Sequence, residues 1–184
     1  ADLLDQPVAP PALLLLRQFQ FRRGQHAHET HQDQVVPVDP WDYPRLSRVL
    51  PIAVLKRARV VVVKDNPPFP PLSRMGLPEF APFEGLPISG VTYQDTFFVR
   101  DGYQTESLYF HEMVHVVQWD RLGVDHFLLA YGVGLMLAGY RNSPLEEMAY
   151  ALQNGFDRGE LPDNIMGSIQ QGTDAIWKGV ASLL

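Results

Sequence analysis

One short segment of the chain carries residues of the types and spacing that bind a catalytic metal ion. Residues 111–115 read His-Glu-Met-Val-His. On an α-helix, positions i and i+4 share a face, so His111 and His115 can direct both imidazoles at one ion. Glu112 can take a proton from a water bound to that ion. This H-E-x-x-H arrangement is typical of zinc hydrolases, because zinc accepts neutral imidazole nitrogens and lowers the pKa of its water to about 7.

Composition and local context both support this interpretation of the motif. With six histidines among 184 residues, only about 0.01 such motifs are expected by chance. A helix is predicted for residues 106–121, and its apolar residues lie on nearly all sides, which indicates a buried helix. Two histidines and a glutamate buried there need partners, and a metal ion satisfies them. A pair of hydrogen-bonded core histidines is the alternative.

A catalytic zinc ion also needs a third protein ligand and an open fourth position. His126 is the only histidine that follows His115 in the chain. Position 121 is an arginine, which excludes the longer H-E-x-x-H-x-x-G-x-x-H motif. The alternative ligand is a glutamate on a later helix.

Three segments of the chain resemble those of gluzincin-type zinc metallopeptidases, most closely small bacterial domains with "HELxHVxQ" and a later "NPxExEAY". They read T-Y-Q-D-T-F-F-V-R at 92–100, H-E-M-V-H-V-V-Q at 111–118 and N-S-P-L-E-E-M-A-Y at 142–150. The resemblance covers residues 88–156, a little over one third of the chain. It implies that the third zinc ligand is a glutamate on the helix after the motif helix.

The resemblance assigns this ligand to Glu146, with Glu147, roughly 100° further round a helix, as the alternative. Met148 stands where the family has a second acidic residue. Tyr150 stands where thermolysin-like members have an aspartate that orients a histidine; a tyrosine can support the histidine or the developing oxyanion, or belong to the core. The resemblance also implies that Thr96–Arg100 is an edge strand that pairs with extended substrate, with ordinary sheet structure as the alternative.

Other polar and aromatic side chains are further candidates for the site. A hydrogen-bond donor to the transition state would come from a pool that the sequence does not rank: His126, Tyr131, Tyr140 and Arg141. Three aromatic residues can line a substrate cleft or belong to the core: Trp119, Tyr131 and Tyr140. A second histidine cluster fits a solvated polar segment better than a second metal site: His26, His28 and His31.

The segments around the motif predict the elements that position it. Thr105 suits the N-cap of the motif helix, and Asp101-Gly102 predicts a turn before it. Residues 88–100 predict a hairpin or two short strands, and residues 58–64 a buried strand, because β-branched and aromatic residues favour strands. Further helices are expected at about 124–139, 144–156 and 163–183.

The first half of the chain is less regular. Helices are predicted at residues 12–24 and 43–57, the second interrupted at Pro51. Residues 66–88 hold seven of the sixteen prolines and predict a long irregular loop, which is either a packed connector or a functional loop near the site. These elements predict an α+β fold. The resemblance implies its zincin-like form, a small, mostly antiparallel sheet packed on a helical lobe that carries the motif.

Length, composition and charge narrow the class of protein. The 184 residues are 46% apolar and include no cysteine, which indicates a globular chain without a thiolate metal site or a cysteine nucleophile. We expect an N-terminal extension at 1–40 and a metallopeptidase domain at 41–184. The longest aliphatic run, Leu13 to Leu16, is far shorter than the ~20 residues of a membrane span. No signal segment is visible, which leaves the compartment open.

The expected partners and activity follow from these observations. Residues 76–184 hold five Lys/Arg against fourteen Asp/Glu, which argues against a nucleic-acid groove. The sequence predicts a zinc-dependent metallohydrolase, specifically a peptidase with a peptide or protein substrate, in which one Zn²⁺ is held by His111, His115 and Glu146. Glu112 activates the attacking water. The alternative is a catalytically inactive, zinc-stabilised binding or regulatory domain, which a closed site or a fourth protein ligand would indicate.

Overall fold

The computed structural model describes residues 35–69, 71–75 and 77–183. Within these ranges the chain forms one four-stranded sheet and six α-helices, which confirms the predicted α+β class. The helix predicted for residues 12–24 and the histidine cluster at His26, His28 and His31 lie outside the described residues. Most of the expected extension at 1–40 does as well, and the division into extension and domain stays a prediction.

The elements match most of the predicted segments. The strands are β1 (Val35–Pro37), β2 (Arg59–Val63), β3 (Gly90–Tyr93) and β4 (Thr96–Arg100). The helices are α1 (Pro44–Val49), α2 (Ile52–Arg57), α3 (Ala81–Glu84), α4 (Glu106–Ala138), α5 (Pro144–Arg158) and α6 (Ile165–Ala181). Two short 3-10 turns precede α3: Leu72–Met75 and Pro78–Phe80. Pro51 separates α1 from α2, as predicted, because proline disfavours a continuous helix.

The sheet is mixed, with the strand order β1-β2-β4-β3. β2 and β4 pair in parallel, whereas the other two pairings are antiparallel. Strand β4 therefore lies inside the sheet, and the prediction that Thr96–Arg100 is an edge strand is wrong. Its residues from Thr96 to Val99 are all buried, so the core covers both faces of the strand, as is usual for interior strands. β3 forms the edge of the described sheet beside β4.

Helix α4 carries the motif and begins at the predicted cap. Thr105 Oγ1 accepts a hydrogen bond from the Leu108 amide at 3.1 Å, which satisfies one N–H group of the first turn. The helix bends at Gly123, whose φ is 69°, a backbone conformation that glycine adopts at little cost. The sequence predicts one helix that ends before this glycine and another that begins after it. In the structure the two are joined, and the helix bends at Gly123.

The first half of α4 runs through the core. It packs against β3, α5 and α6, and Phe110 stacks on Phe156 of α5 with ring centroids 4.6 Å apart. Every residue from Tyr109 to Trp119 is buried. Polar side chains in this stretch must therefore find their partners inside the protein.

Helix α4 also has the length and apolar composition of a membrane-spanning helix. Core helices meet the same two criteria. Uninterrupted aliphatic runs do not reveal this property of α4, because glycines and polar residues separate its apolar residues. The expectation that the chain has no membrane span stays a prediction.

The proline-rich segment at residues 66–88 is tied to the rest of the fold. The Tyr93 hydroxyl donates a hydrogen bond to the Pro68 carbonyl. Within the segment, the amide and hydroxyl of Ser73 both donate to the Glu84 carboxylate, at 2.6 and 3.0 Å. The segment therefore packs as a connector, and several of its side chains form a wall of the cavity described below.

Candidate metal centre

Helices α4 and α5 bring three predicted ligands together in the interior. His111, His115 and Glu146 are 3%, 5% and 2% exposed. The Nε2 atoms of the two histidines lie 3.2 Å apart. Glu146 Oε2 lies 3.3 Å from Nε2 of His111 and 3.5 Å from Nε2 of His115. Each residue thus contributes one ligand atom to a nearly equilateral triangle.

The size of this triangle fits a tetrahedral metal ion. Ligand atoms about 2.0–2.1 Å from a tetrahedral zinc ion lie about 3.3–3.4 Å from one another. Glu146 Oε2 is buried and has no hydrogen-bond partner among the described residues, an arrangement that costs free energy unless a cation compensates it. The triad is the one group of metal-binding side chains found in the described ranges. Its donor set and spacing therefore fit a metal ion.

The start of helix α5 explains why Glu146, and not Glu147, joins the histidines. Ser143 occupies the N-cap position, and Pro144 is the first helical residue, a position that proline favours. Glu146 lies in the first turn, where the helix dipole stabilises a negative charge. Glu147, the alternative ligand, is exposed, because one step along a helix turns a side chain by roughly 100°.

Gln118 fixes the orientation of His115. The Gln118 Oε1 atom lies 2.7 Å from His115 Nδ1, and its Nε2 donates to the carbonyl of Leu145 at 3.1 Å. Because Gln118 is fully buried and its amide NH₂ is engaged, Nδ1 of His115 must be the donor in this pair. In the neutral imidazole, Nε2 of His115 then keeps a lone pair for the metal. Sequence reasoning missed this residue, although its i+3 spacing from His115 was a usable signal.

Tyr131 contacts the third ligand directly. Its hydroxyl donates a hydrogen bond to Glu146 Oε1 at 2.8 Å. Oε1 is therefore engaged, while Oε2 faces the two histidines. The sequence placed Tyr131 in the pool of transition-state donors, but its contact with Glu146 was not predicted.

Glu112 lies on the sheet side of the triad and is 2% exposed. Thr92 Oγ1 on β3 donates to Glu112 Oε2 at 2.6 Å. A Cβ atom at Gly90 would lie only 2.2 Å from Glu112 Oε1, so this close approach of strand and carboxylate requires glycine. Burial raises the pKa of the Glu112 carboxyl above its ordinary value, and the neighbouring histidines offset part of that rise.

The charges of the triad stabilise one another. Burial opposes ionisation of Glu146, but the two histidines outweigh it and hold the pKa of this carboxyl below its ordinary value. Burial also opposes the charged form of His115, but the Glu146 carboxylate outweighs it and raises the pKa of the imidazole to about 9. The pocket of three ligand atoms is therefore electrostatically suited to a positive charge.

A cavity of about 60 Å³ lies against Glu112, His115 and Glu146. That volume is large enough to hold water. Seven of the seventeen residues that line it are aromatic: Phe69, Phe80, Tyr93, Trp119, Phe127, Tyr131 and Tyr140. Trp119, Tyr131 and Tyr140 line this cavity and also belong to or pack against a hydrophobic core cluster, so both options left open by the sequence apply to them.

The remaining candidates lie around the triad or away from it. The Tyr150 ring packs against the His111 ring with centroids 4.6 Å apart. The Arg141 guanidinium lies 4.8 Å from the Tyr150 ring on the outer side of the site. His126 stacks on Trp177 of α6 with centroids 4.1 Å apart and is exposed. Tyr150 therefore supports a ligand by ring packing, and His126 belongs to another surface.

These residues define a class of site, a buried His-His-Glu group on an α+β scaffold that can hold a metal ion. Comparisons of the chain with protein-family models, with curated proteins and with solved structures found no match. The gluzincin resemblance therefore rests on the sequence motifs, and the zincin-like form of the fold stays a prediction. The identity of the metal and the reaction are matters for proposal.

Proposed function

We propose that the protein is a zinc-dependent metallohydrolase and that it hydrolyses peptide bonds. One observation carries the proposal: the triangle formed by Nε2 of His111, Nε2 of His115 and Oε2 of Glu146, with a second buried acid, Glu112, beside it. Two histidines and one glutamate form a common ligand set of catalytic zinc, whereas structural zinc sites mostly contain four protein ligands.

The ligand roles fall to His111, His115 and Glu146. Zinc bound by these residues would polarise a substrate carbonyl and make a water nucleophilic near neutral pH. The described residues supply three ligands, and the adjoining cavity leaves space for a fourth position to hold water or substrate. This combination supports a catalytic site over a closed structural one.

Glu112 takes the role of general base and then of general acid. Its carboxylate receives the proton of the attacking water and passes it to the leaving amine. Thr92 and Gly90 fix its position, the first by a hydrogen bond and the second by leaving room for the carboxylate. A base held in this way needs no rearrangement before it acts.

The cavity and the edge of the sheet suggest how a peptide binds. The aromatic wall suits an apolar side chain of the substrate. Strand β3 contributes Gly90, Val91, Thr92 and Tyr93 to the same wall and forms an edge of the described sheet. An extended peptide can pair with such an edge through its backbone. In this proposal β3 takes the part that the resemblance implies for β4.

A non-catalytic zinc domain is the second candidate. The deep burial of the three ligands, none more than 5% exposed, favours it, because structural zinc sites are closed to solvent. The replacement of an acidic residue by Tyr150, inferred from the resemblance, points the same way. Binding of zinc without turnover would support this candidate.

The first test is zinc content per chain, measured by mass spectrometry after purification without metal-chelating resin. We expect about one zinc ion per chain in the wild type and a sharp loss in Glu146→Ala, since two ligands hold zinc much less tightly than three. Glu147→Ala is the matched control, because it removes the exposed neighbouring carboxylate. A wild-type chain that stays free of zinc after zinc is added would overturn the proposal, and full occupancy in Glu146→Ala would assign the third ligand elsewhere.

A further inference from the structure

We propose that Tyr131 is a positioning residue that makes Glu146 bind the metal through one oxygen only. This inference rests on the proposed metal site and adds a residue that acts through a ligand. A glutamate can coordinate a metal through one or both oxygens. The mode matters, because a second bound oxygen would occupy coordination space that a substrate or water requires.

The two oxygens of Glu146 have separate tasks in the structure. Oε1 accepts the Tyr131 hydroxyl at 2.8 Å. Oε2 lies 3.3 and 3.5 Å from the histidine Nε2 atoms and has no hydrogen bond among the described residues. A donor on Oε1 reduces the electron density available there for a second metal bond and fixes the plane of the carboxylate. Partners of this kind orient metal ligands and contribute to metal affinity.

A stack of aromatic rings holds the Tyr131 hydroxyl in place. The Tyr131 ring lies 5.7 Å from the Phe127 ring with an angle of 12° between them. Phe127 in turn stacks on Trp119, with centroids 3.8 Å apart. The indole Nε1 of Trp119 donates to the carbonyl of Thr92 on β3 at 3.2 Å. The stack therefore links the hydroxyl to the sheet, so little side-chain freedom remains to be lost when the metal binds.

In this arrangement the Tyr131 hydroxyl cannot also donate a hydrogen bond to the transition state. A phenol has one O–H to donate, and Tyr131 donates it to Glu146. Tyr131 therefore acts on the metal through the ligand, whereas a donor to the transition state must keep its O–H for the substrate. This difference separates the two roles experimentally.

The test compares Tyr131→Phe with the wild type and with Tyr103→Phe. Phenylalanine keeps the ring and its stacking on Phe127, so the change isolates the hydroxyl. Tyr103 is 45% exposed in the loop before α4, and its variant controls for the loss of a phenol. The measurements are the zinc dissociation constant by competition with a chromophoric chelator, the absorption spectrum of the Co²⁺-substituted protein, and kcat on a peptide that the wild type cleaves.

We expect zinc to bind at least about tenfold more weakly in Tyr131→Phe than in the wild type, and we expect the Co²⁺ spectrum to change. Tyr103→Phe should match the wild type in both measurements. Phe127→Leu keeps the hydroxyl but removes its stacking partner, and it should weaken zinc binding by a smaller factor. This second variant also serves if Tyr131→Phe does not fold.

The results that would contradict this inference differ from those that would contradict the proposed metal site. If Tyr131→Phe leaves the zinc affinity and the Co²⁺ spectrum unchanged, the inference is overturned. If kcat falls while both stay unchanged, the hydroxyl is instead a donor to the substrate. A wild-type chain that binds no zinc would instead overturn the metal site itself. The failure of this inference is therefore distinguishable from the failure of the proposed function.

Discussion

The sheet side and the helix side of the metal centre hold different groups. On the sheet side, β3 lies against Glu112 through Gly90 and Thr92. These contacts concern the proposed base and involve none of the three ligands. The sheet side is therefore expected to determine how well a proton is transferred.

The helix side holds the ligands themselves. Gln118 joins His115 to the Leu145 carbonyl at the start of α5, and Tyr131 joins the bent second half of α4 to Glu146. Both contacts fix a ligand atom relative to the other two. Changes on this side are expected to reduce metal affinity first and turnover as a consequence, whereas sheet-side changes should reduce turnover with the metal retained.

Among the variants that test this difference between the two sides, Glu112→Gln is expected to have the largest effect on turnover. The amide preserves the shape of the side chain but cannot accept the proton of the attacking water, so turnover should fall by about 10²- to 10⁴-fold. Zinc content should equal that of the wild type. The assay is digestion of a defined peptide mixture, read by mass spectrometry. A variant that cleaves at the wild-type rate would remove Glu112 from the mechanism and with it the functional distinction between the two sides.

Gln118→Leu tests the helix side. Leucine has a similar volume but leaves His115 Nδ1 and the Leu145 carbonyl without their buried partner. We expect zinc to bind about 10- to 100-fold more weakly, and turnover at saturating zinc to recover much of its wild-type value. Gln171→Leu, on the exposed surface of α6, is the control. Unchanged zinc affinity would mean that the orientation of His115 depends on packing and not on Gln118.

Local sequence information was sufficient for the two histidines on α4, but not for Gln118 and Tyr131 on the same helix. The i, i+4 spacing predicts that His111 and His115 share a face. Thr105 marks a helix start through its side-chain hydroxyl, and Pro51 marks a helix boundary through its restricted backbone. Glu146 was assigned by resemblance, because no local rule relates α4 to α5. The structure brings it to the histidines and leaves Glu147 exposed.

Contacts between distant segments could not be read from the sequence. β2 pairs in parallel with β4 across the proline-rich segment, and this long-range pairing makes β4 an interior strand. The contacts of Thr92 with Glu112 and of Tyr131 with Glu146 likewise depend on how β3 and the second half of α4 pack. Neither pair has a spacing that periodicity could reveal, so the surroundings of the site were harder to predict than its motif.

A third change, Gly90→Ala, tests the close approach of β3 to Glu112. The new Cβ would lie 2.2 Å from Glu112 Oε1, so the strand or the carboxylate must move. We expect the free energy of unfolding to fall by about 1–3 kcal/mol, as for other overpacked sites, and turnover to fall with it. Gly85→Ala is the matched control, because its Cβ would meet no atom within 4 Å. Equal stability of the two variants in urea unfolding would show that β3 can shift away from Glu112 freely.

The smallest effect is expected from Thr92→Val, which removes one hydroxyl on the sheet side. Valine fills nearly the same space, and Glu112 Oε2 loses the donor at 2.6 Å. A hydrogen bond to a charged group contributes about 1.5–3 kcal/mol, but Glu112 retains the confinement imposed by Gly90, so we expect turnover to fall by about tenfold. Zinc affinity should not change, because the hydrogen bonds of the Thr92 hydroxyl in the described structure go to Glu112 and not to the triad. If Thr92→Val weakened zinc binding as much as Gln118→Leu, the base and the ligands would form one coupled network, and the two sides of the centre would not be functionally separate.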